Sequence, residues 1–200
     1  MKPPYPDILI STCKKQAEIL SMVSIVKSIC RGNVIATCMP VSASVNRNCA
    51  LEMAKSDIVI MIDDDIEGFY DGWDIDLIQP LFDSDDVRFV SARLVDRAGN
   101  VGNMVCNPTD LSSSVVDVKF APTACCAFRR SSLRFFEEYR GSGFEDTDYI
   151  VQLRRMFGEK NCRVVINNEC RMIHINEMKK QYCNFQYNRD VFFKRWGFEP

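Results

Sequence analysis

No stretch of this 200-residue chain stays apolar over the ~20 residues that a bilayer-spanning helix requires. Its first residues, MKPPYPDILISTCKK, break a short apolar run with Ser-Thr-Cys and place two lysines after it, the wrong order for a secretory signal. A cytoplasmic protein is expected. Low-complexity tracts, internal repeats and linkers are missing as well, and 200 residues suit one sizeable core better than two. The net charge is only −2, which excludes a global attraction to nucleic acid or anionic membranes. Ten cysteines are present but no CxxC pair, and they are scattered through strand-like and helix-like segments. They are expected to be reduced, small buried hydrophobes and not a disulfide scaffold. Histidine occurs once, at position 174.

What is present is an alternation. DILIST (7–12), VIATCMP (34–40) and IVIMI (58–62) read as strands. Between them lie KKQAEILSMVSIVKSI, with Ile19, Met22, Val23, Val26 and Ile29 at helical spacing, and SASVNRNCALEMAKS (42–56), with Val45, Cys49 and Met53 on one face. Strands alternating with helices of this length predict βαβ units, and therefore an α/β fold with a mainly parallel central sheet flanked by helices. Further on, the pattern predicts a helix around DIDLIQPLFD and a strand over 87–96. A strand-like stretch follows over 116–130 with a bend at Pro122, then a helix from Glu145 to Gly158, and strands over 162–167 and 170–176. The C-terminal segment reads as polar and aromatic.

Three consecutive carboxylates, Asp63, Asp64 and Asp65, follow the apolar run IVIMI. Like charges at the end of a buried strand repel one another, and something must compensate them. In open α/β sheets, ligands bind outside the carboxyl ends of the strands. If the chain stays extended, Asp63 and Asp65 share one side and Asp64 points away. Two carboxylates so placed suit Mg²⁺ or Mn²⁺, which bind through one or two carboxylates together with a substrate's phosphates. Downstream, Gly141, Gly143, Glu145, Asp146 and Asp148 open an amphipathic helix, and His174 stands between two isoleucines in IHIN. Each has a plainer explanation: acidic residues cap helices, and a lone histidine usually sits satisfied in a core.

Taken in order, DILIST, NRNCALEMAKSD leading into IVIMIDDDI, ARLVDRAGNV, APTACCAFRR, GFEDTDYIVQLRR and IHIN resemble the GT-A glycosyltransferases, most closely the inverting family 2 group. The C-terminal FFKRWG also resembles the ending of some members. The resemblance implies a single domain. Residues 1–100 would form its nucleotide-sugar donor half and residues 101–200 its acceptor and catalytic half. It implies transfer of a sugar, with inversion, from a nucleotide diphosphate donor (a UDP-sugar first) to an acceptor hydroxyl. Asp65, Asp63 and His174 would be the metal ligands, with Mn²⁺ or Mg²⁺ as the ion. Ser11, Thr12, Asn46, Arg47, Asp63 and Asp64 would hold the donor. Asp146 would be the general base, with Glu145 on substrate hydroxyls. Where the family has Gly-Glu-Asp this chain has Gly-Phe-Glu-Asp, which leaves Asp148 as an alternative base. Trp73 could stack on a sugar or pack a loop.

Other readings use the same residues. A nucleotidyltransferase would show a Gly-rich phosphate loop after the first strand, and none follows DILIST. A sugar-nucleotide-binding module could lack the base, but Asp146 is present. The acceptor could be a glycan, a lipid-linked sugar, a protein or a hydroxylated base of DNA. Basic residues cluster at Arg129, Arg130, Arg134 and Arg140, and again at Lys179, Lys180, Arg189, Lys194 and Arg195; with Tyr182, Phe185 and Tyr187 interleaved, the second cluster would contact a DNA backbone and stack a base.

Overall fold

The computed structural model describes residues 5–101, 109–175 and 184–200. Strand β1 (Asp7–Thr12) leads through helix α1 (Gln16–Ile29) to β2 (Asn33–Cys38), and α2 (Ala43–Met53) leads to β3 (Ile58–Ile62). A two-residue strand β4 (Ile66–Glu67) precedes α3 (Trp73–Ile78), α4 (Pro80–Asp83) and β5 (Val87–Val95). Then come β6 (Val115–Asp117), β7 (Cys125–Arg129), α5 (Glu145–Phe157), β8 (Arg163–His174) and α6 (Phe185–Trp196).

The strands form one sheet in the order β2-β1-β3-β7-β5-β8-β4, with β6 pairing β8. Five of them (β1, β2, β3, β5 and β8) run the same way, and β4, β6 and β7 run against them. The continuous apolar character of IVIMI has a direct cause. Ile58, Ile60 and Ile62 enter the core on one face, with Ile8 and Ile10 of β1, while Val59 and Met61 enter the core on the other, with Leu9. Helices α1, α3 and α4 cover the first face through Ile19, Val26, Trp73, Leu77 and Leu81. The other face is covered by α2 and α5 through Ala50, Leu51, Ile150 and Leu153. Burying β3 on both sides is what an apolar run of that length requires.

Several expectations are corrected here. The helix expected over 74–83 divides at Gln79–Pro80, because proline has no N–H to continue the ladder. The stretch 116–130 is two strands, β6 and β7. The two strands expected over 162–176 are one, β8, interrupted where Ala92 pairs Asn167 but Arg93 pairs Arg171; Asn176 lies outside the described residues. The polar-aromatic C-terminal segment contains helix α6. On α2, the face expected inward was Val45, Cys49 and Met53, yet Met53 is 55% exposed while Ser44, Asn46, Arg47 and Asn48 are buried. No disulfide joins the described cysteines, of which Cys125, Cys126, Cys162 and Cys170 are buried and Cys13 is exposed. Among the described residues no helix is long and apolar enough to cross a membrane.

Candidate active site

At the carboxyl ends of β1 and β3 lies a cleft of about 310 Å³. Ser11, Thr12 and Cys13, Asn46 and Arg47 from α2, Asp63 to Asp65, and Gly141 and Ser142 line it. Asn46 is fixed there because its amide donates to the Thr12 carbonyl at 2.6 Å, while its own Oδ1 is buried and has no partner. Ser11 accepts a bond from Thr37 across the β1–β2 pair.

The three aspartates do not alternate as extended residues would. Strand β3 ends at Ile62, the Asp63 amide donates to the Ala124 carbonyl, and the chain turns through 63–66 into β4. Because of that turn the three carboxylates diverge, and each meets its own partner. Asp63 accepts from Arg47 at 2.8 Å, Asp64 pairs with Lys14 at 3.0 Å and also accepts from the Thr12 hydroxyl, and Asp65 lies 3.3 Å from His174 Nε2. The last contact is built by the sheet. Ile66 pairs His174 across β4 and β8, and the Ile175 amide donates to the Asp65 carbonyl. Burial works against a proton on His174, but the Asp65 carboxylate, helped by Asp63, holds its pKa above the ordinary imidazole value. Burial likewise opposes the charge on Lys14, and Asp64 more than reverses it.

The expected triad of Asp63, Asp65 and His174 is therefore not assembled as a cage. Among the described residues no three His, Cys, Asp or Glu side chains converge on one point, because Asp63 is turned to Arg47. Asp65 and His174 do converge, and one carboxylate oxygen beside one imidazole nitrogen fits Mn²⁺ or Mg²⁺ taking its remaining ligands from phosphates and water.

Arg47 links this end of the cleft to α5. It is 5% exposed and donates through its two terminal nitrogens to Asp63 and, at 2.9 Å, to Glu145. Burial alone would lower its pKa, but the two carboxylates hold it above the ordinary value, so it is a permanent cation. Glu145 also accepts from the Gly143 amide. Next to it, Asp146 Oδ1 accepts from the amide and hydroxyl of Thr147. Burial pushes the pKa of Asp146 up, against the opposing pull of those bonds and of Arg47, and Glu145 is likewise raised by its burial.

Asp148, the alternative base, does not line the cleft. Two residues along a helix is about 200° of rotation, so Asp148 faces away from the cleft. It is 0% exposed and accepts from Tyr139, Gln152, Trp196 and Arg195. Phe144, between Gly143 and Glu145, caps α5 in the left-handed conformation with φ 73°. Trp73 is wholly buried and packs on Phe69, which leaves no face for a sugar. The arginines considered for nucleic acid are engaged within the protein. Arg129 bonds the Leu81 carbonyl, Arg130 those of Ser56 and Lys55, Arg134 those of Ser131 and Leu133; Arg140 lies over Tyr187, Arg189 pairs Glu199 and Arg195 pairs Asp148. Lys179, Lys180 and Tyr182 lie outside the described residues. Sequence reasoning missed Lys14, whose signal was its place two residues past the end of β1, and Asn188, the buried polar residue of α6.

No family model matches the chain, and no curated protein matches its sequence. Solved structures do match in shape. Glucosyl-3-phosphoglycerate synthase from Mycobacterium tuberculosis, solved with Mg²⁺ and UDP, superposes with a TM-score of 0.61 at 14% identity, over 98% of this chain and 81% of its own. The mannosyltransferase PcManGT from Pyrobaculum calidifontis, solved with GDP-Man and Mn²⁺, gives 0.67 at 14% identity, over 98% and 66%. A197 from STIV gives 0.56 at 12% identity, over 86% of both chains. The chain has the GT-A glycosyltransferase fold, which it shares with the synthase and the mannosyltransferase.

Proposed function

We propose that the protein is a metal-dependent, inverting glycosyltransferase that moves a sugar from a nucleoside diphosphate donor to an acceptor hydroxyl. The observation that carries this reading is the meeting of Asp65 with His174 at 3.3 Å, from distant parts of the chain, at the carboxyl end of β3. Similar folds hold a divalent ion together with UDP or GDP-Man at 14% identity, and the Asp65–His174 pair is the donor set that such an ion would use here. Asp65 and His174 would hold Mn²⁺ or Mg²⁺, which would supply positive charge against the departing diphosphate.

The chain's own residues do the rest. Ser11, Thr12 and Asn46 border the nucleoside. Lys14 and Arg47 put fixed positive charge beside the phosphates. Inversion requires the acceptor oxygen to arrive opposite the diphosphate, and Asp146 takes its proton there. A carboxylate whose pKa is raised by burial is a better base than an ordinary one at neutral pH. Glu145, fixed between Arg47 and the Gly143 amide, holds the start of α5 in register with the cleft.

Calorimetry with UDP and with GDP, with and without Mn²⁺, tests the assignment. Tight binding is expected only with the metal, since phosphates and aspartates otherwise repel, and His174→Ala should weaken that binding while leaving the melting temperature near wild type. Equal affinity in EDTA overturns the metal assignment.

A further inference from the structure

The turn that delivers α5 to the cleft is held by α6. Its backbone is left-handed at three of four consecutive residues, Gly141 (φ 64°), Gly143 (φ 108°) and Phe144 (φ 73°), and phenylalanine adopts that conformation only at a cost. Helix α5 has no side-chain cap of its own. Instead Asn188, wholly buried on α6, takes over the turn's polar groups. Its Oδ1 accepts from the Arg140 amide at 2.9 Å, and its Nδ2 lies within bonding distance of the carbonyls of Arg140, Ser142 and Gly143, at 3.0, 3.3 and 3.0 Å. Two N–H groups serving three carbonyls means that at least one is shared. The turn is pinned on its other side by the Ala43 amide of α2, which donates to the Gly141 carbonyl. Phe144 is clasped by Phe185 and Phe192 of α6. From the turn the chain of contacts runs on through the Gly143 amide to Glu145, then Arg47, then Asp63.

We propose that Asn188 is a positioning residue for the transfer: by fixing the backbone of 140–143 it sets where Asp146 meets the acceptor. The inference rests on the reading of Asp146 as the base. A base displaced by about 1 Å loses on the order of 10²-fold in rate, whereas the side chains assigned to the donor and its metal stand outside the turn, on β1, α2, the 63–65 segment and β8.

The test measures release of UDP or GDP from UDP-glucose, UDP-galactose, UDP-N-acetylglucosamine and GDP-mannose with Mn²⁺, water standing in for the acceptor, well below the melting temperature of every variant. Asn188→Ala should lower kcat by about 10²-fold with the donor KM unchanged. Asn188→Asp keeps the volume but loses both N–H donors, and should be as slow. Val191→Ala, which loosens the packing of the same helix without removing a hydrogen bond from the turn, should lower the melting temperature and leave kcat alone. Wild-type kcat in Asn188→Ala, or a kcat loss that follows melting temperature equally in Asn188→Ala and Val191→Ala, overturns the proposal. Asp146→Asn run alongside separates the two failures. A slow Asp146→Asn beside a normal Asn188→Ala removes only the positioning role, and a fully active Asp146→Asn removes the base on which it depends. Absence of turnover by the wild-type protein overturns the glycosyltransferase reading and this inference with it.

Discussion

Helices α1 and α2 flank the first three parallel strands, follow one another in the chain, and obey different rules. Helix α1 packs as its sequence pattern predicts. Ile19 and Val26 are buried in the core, with Met22, Val23 and Ile29 against it. Helix α2 inverts the prediction, for it buries Ser44, Asn46, Arg47 and Asn48 and exposes Met53. The difference lies in what each helix faces. Along its whole length α1 meets the apolar side chains of the sheet. The first half of α2 meets the carboxyl ends of β1 and β3 and the start of α5, where the groups to be satisfied are carbonyls and carboxylates. An apolar face there would leave Glu145 buried, and Asp63 half-buried, without a counter-charge, which costs more than the hydrophobic contact would return.

The comparison predicts effects of different kind as well as size. The largest belongs to α5, which α2 supports: Asp146→Asn should lower kcat about 10²–10⁴-fold, with donor affinity and melting temperature near wild type. Steady-state kinetics over pH sharpen it. The base must be ionised to act and burial raises its pKa, so the rate should fall as pH drops through a limb above the ordinary carboxylate range. That limb should be lost in the variant. A kcat that does not respond would make the start of α5 a capped structural element only.

Arg47→Ala comes next and breaks both properties at once. It leaves Glu145, and in part Asp63, buried without a counter-charge, and breaking a buried pair costs about 3–5 kcal/mol. Denaturant unfolding should show that loss, and calorimetry a loss of UDP–Mn²⁺ binding. Were Arg47→Ala as stable as wild type, the polar face of α2 would be dispensable and the comparison would collapse. On α1, Ile19→Val should cost about 0.5–1.5 kcal/mol and leave donor binding untouched. Smallest of all is Met53→Gln on α2, within about 0.5 kcal/mol of wild type. A large loss there would restore the inward face that the apolar spacing suggested.

Periodicity was a sound guide wherever a segment met an apolar surface, as in β1, β3, α1 and the inner face of α5. It failed where polar groups needed burying, since Asn46, Arg47 and Asn188 look like surface residues on any hydropathy scale. The role of α6 was illegible for the same reason: its inward positions include an asparagine, and its partners, the turn at 140–143 and Asp148, lie more than thirty residues earlier. The order of the acidic motifs and His174 identified which residues to bring together, but could not say how. Extended-chain alternation put Asp63 and Asp65 on one side, and the turn after Ile62 separated them. Gly-Phe-Glu-Asp left two candidate bases.

By itself the sequence determined the layers of the fold, because apolar residues at fixed spacing must be buried whatever their partners. It also determined the inventory of the site, because three adjacent aspartates, an acidic helix start and a lone histidine are chemical types that no packing can alter. Only the tertiary structure decided the pairings: Asp63 with Arg47, Asp64 with Lys14, Asp65 with His174, and Asp148 with α6 in place of the cleft. Ion pairs and hydrogen bonds depend on distance and direction across elements far apart in the chain, and that information exists only once the strands have paired and the helices have docked.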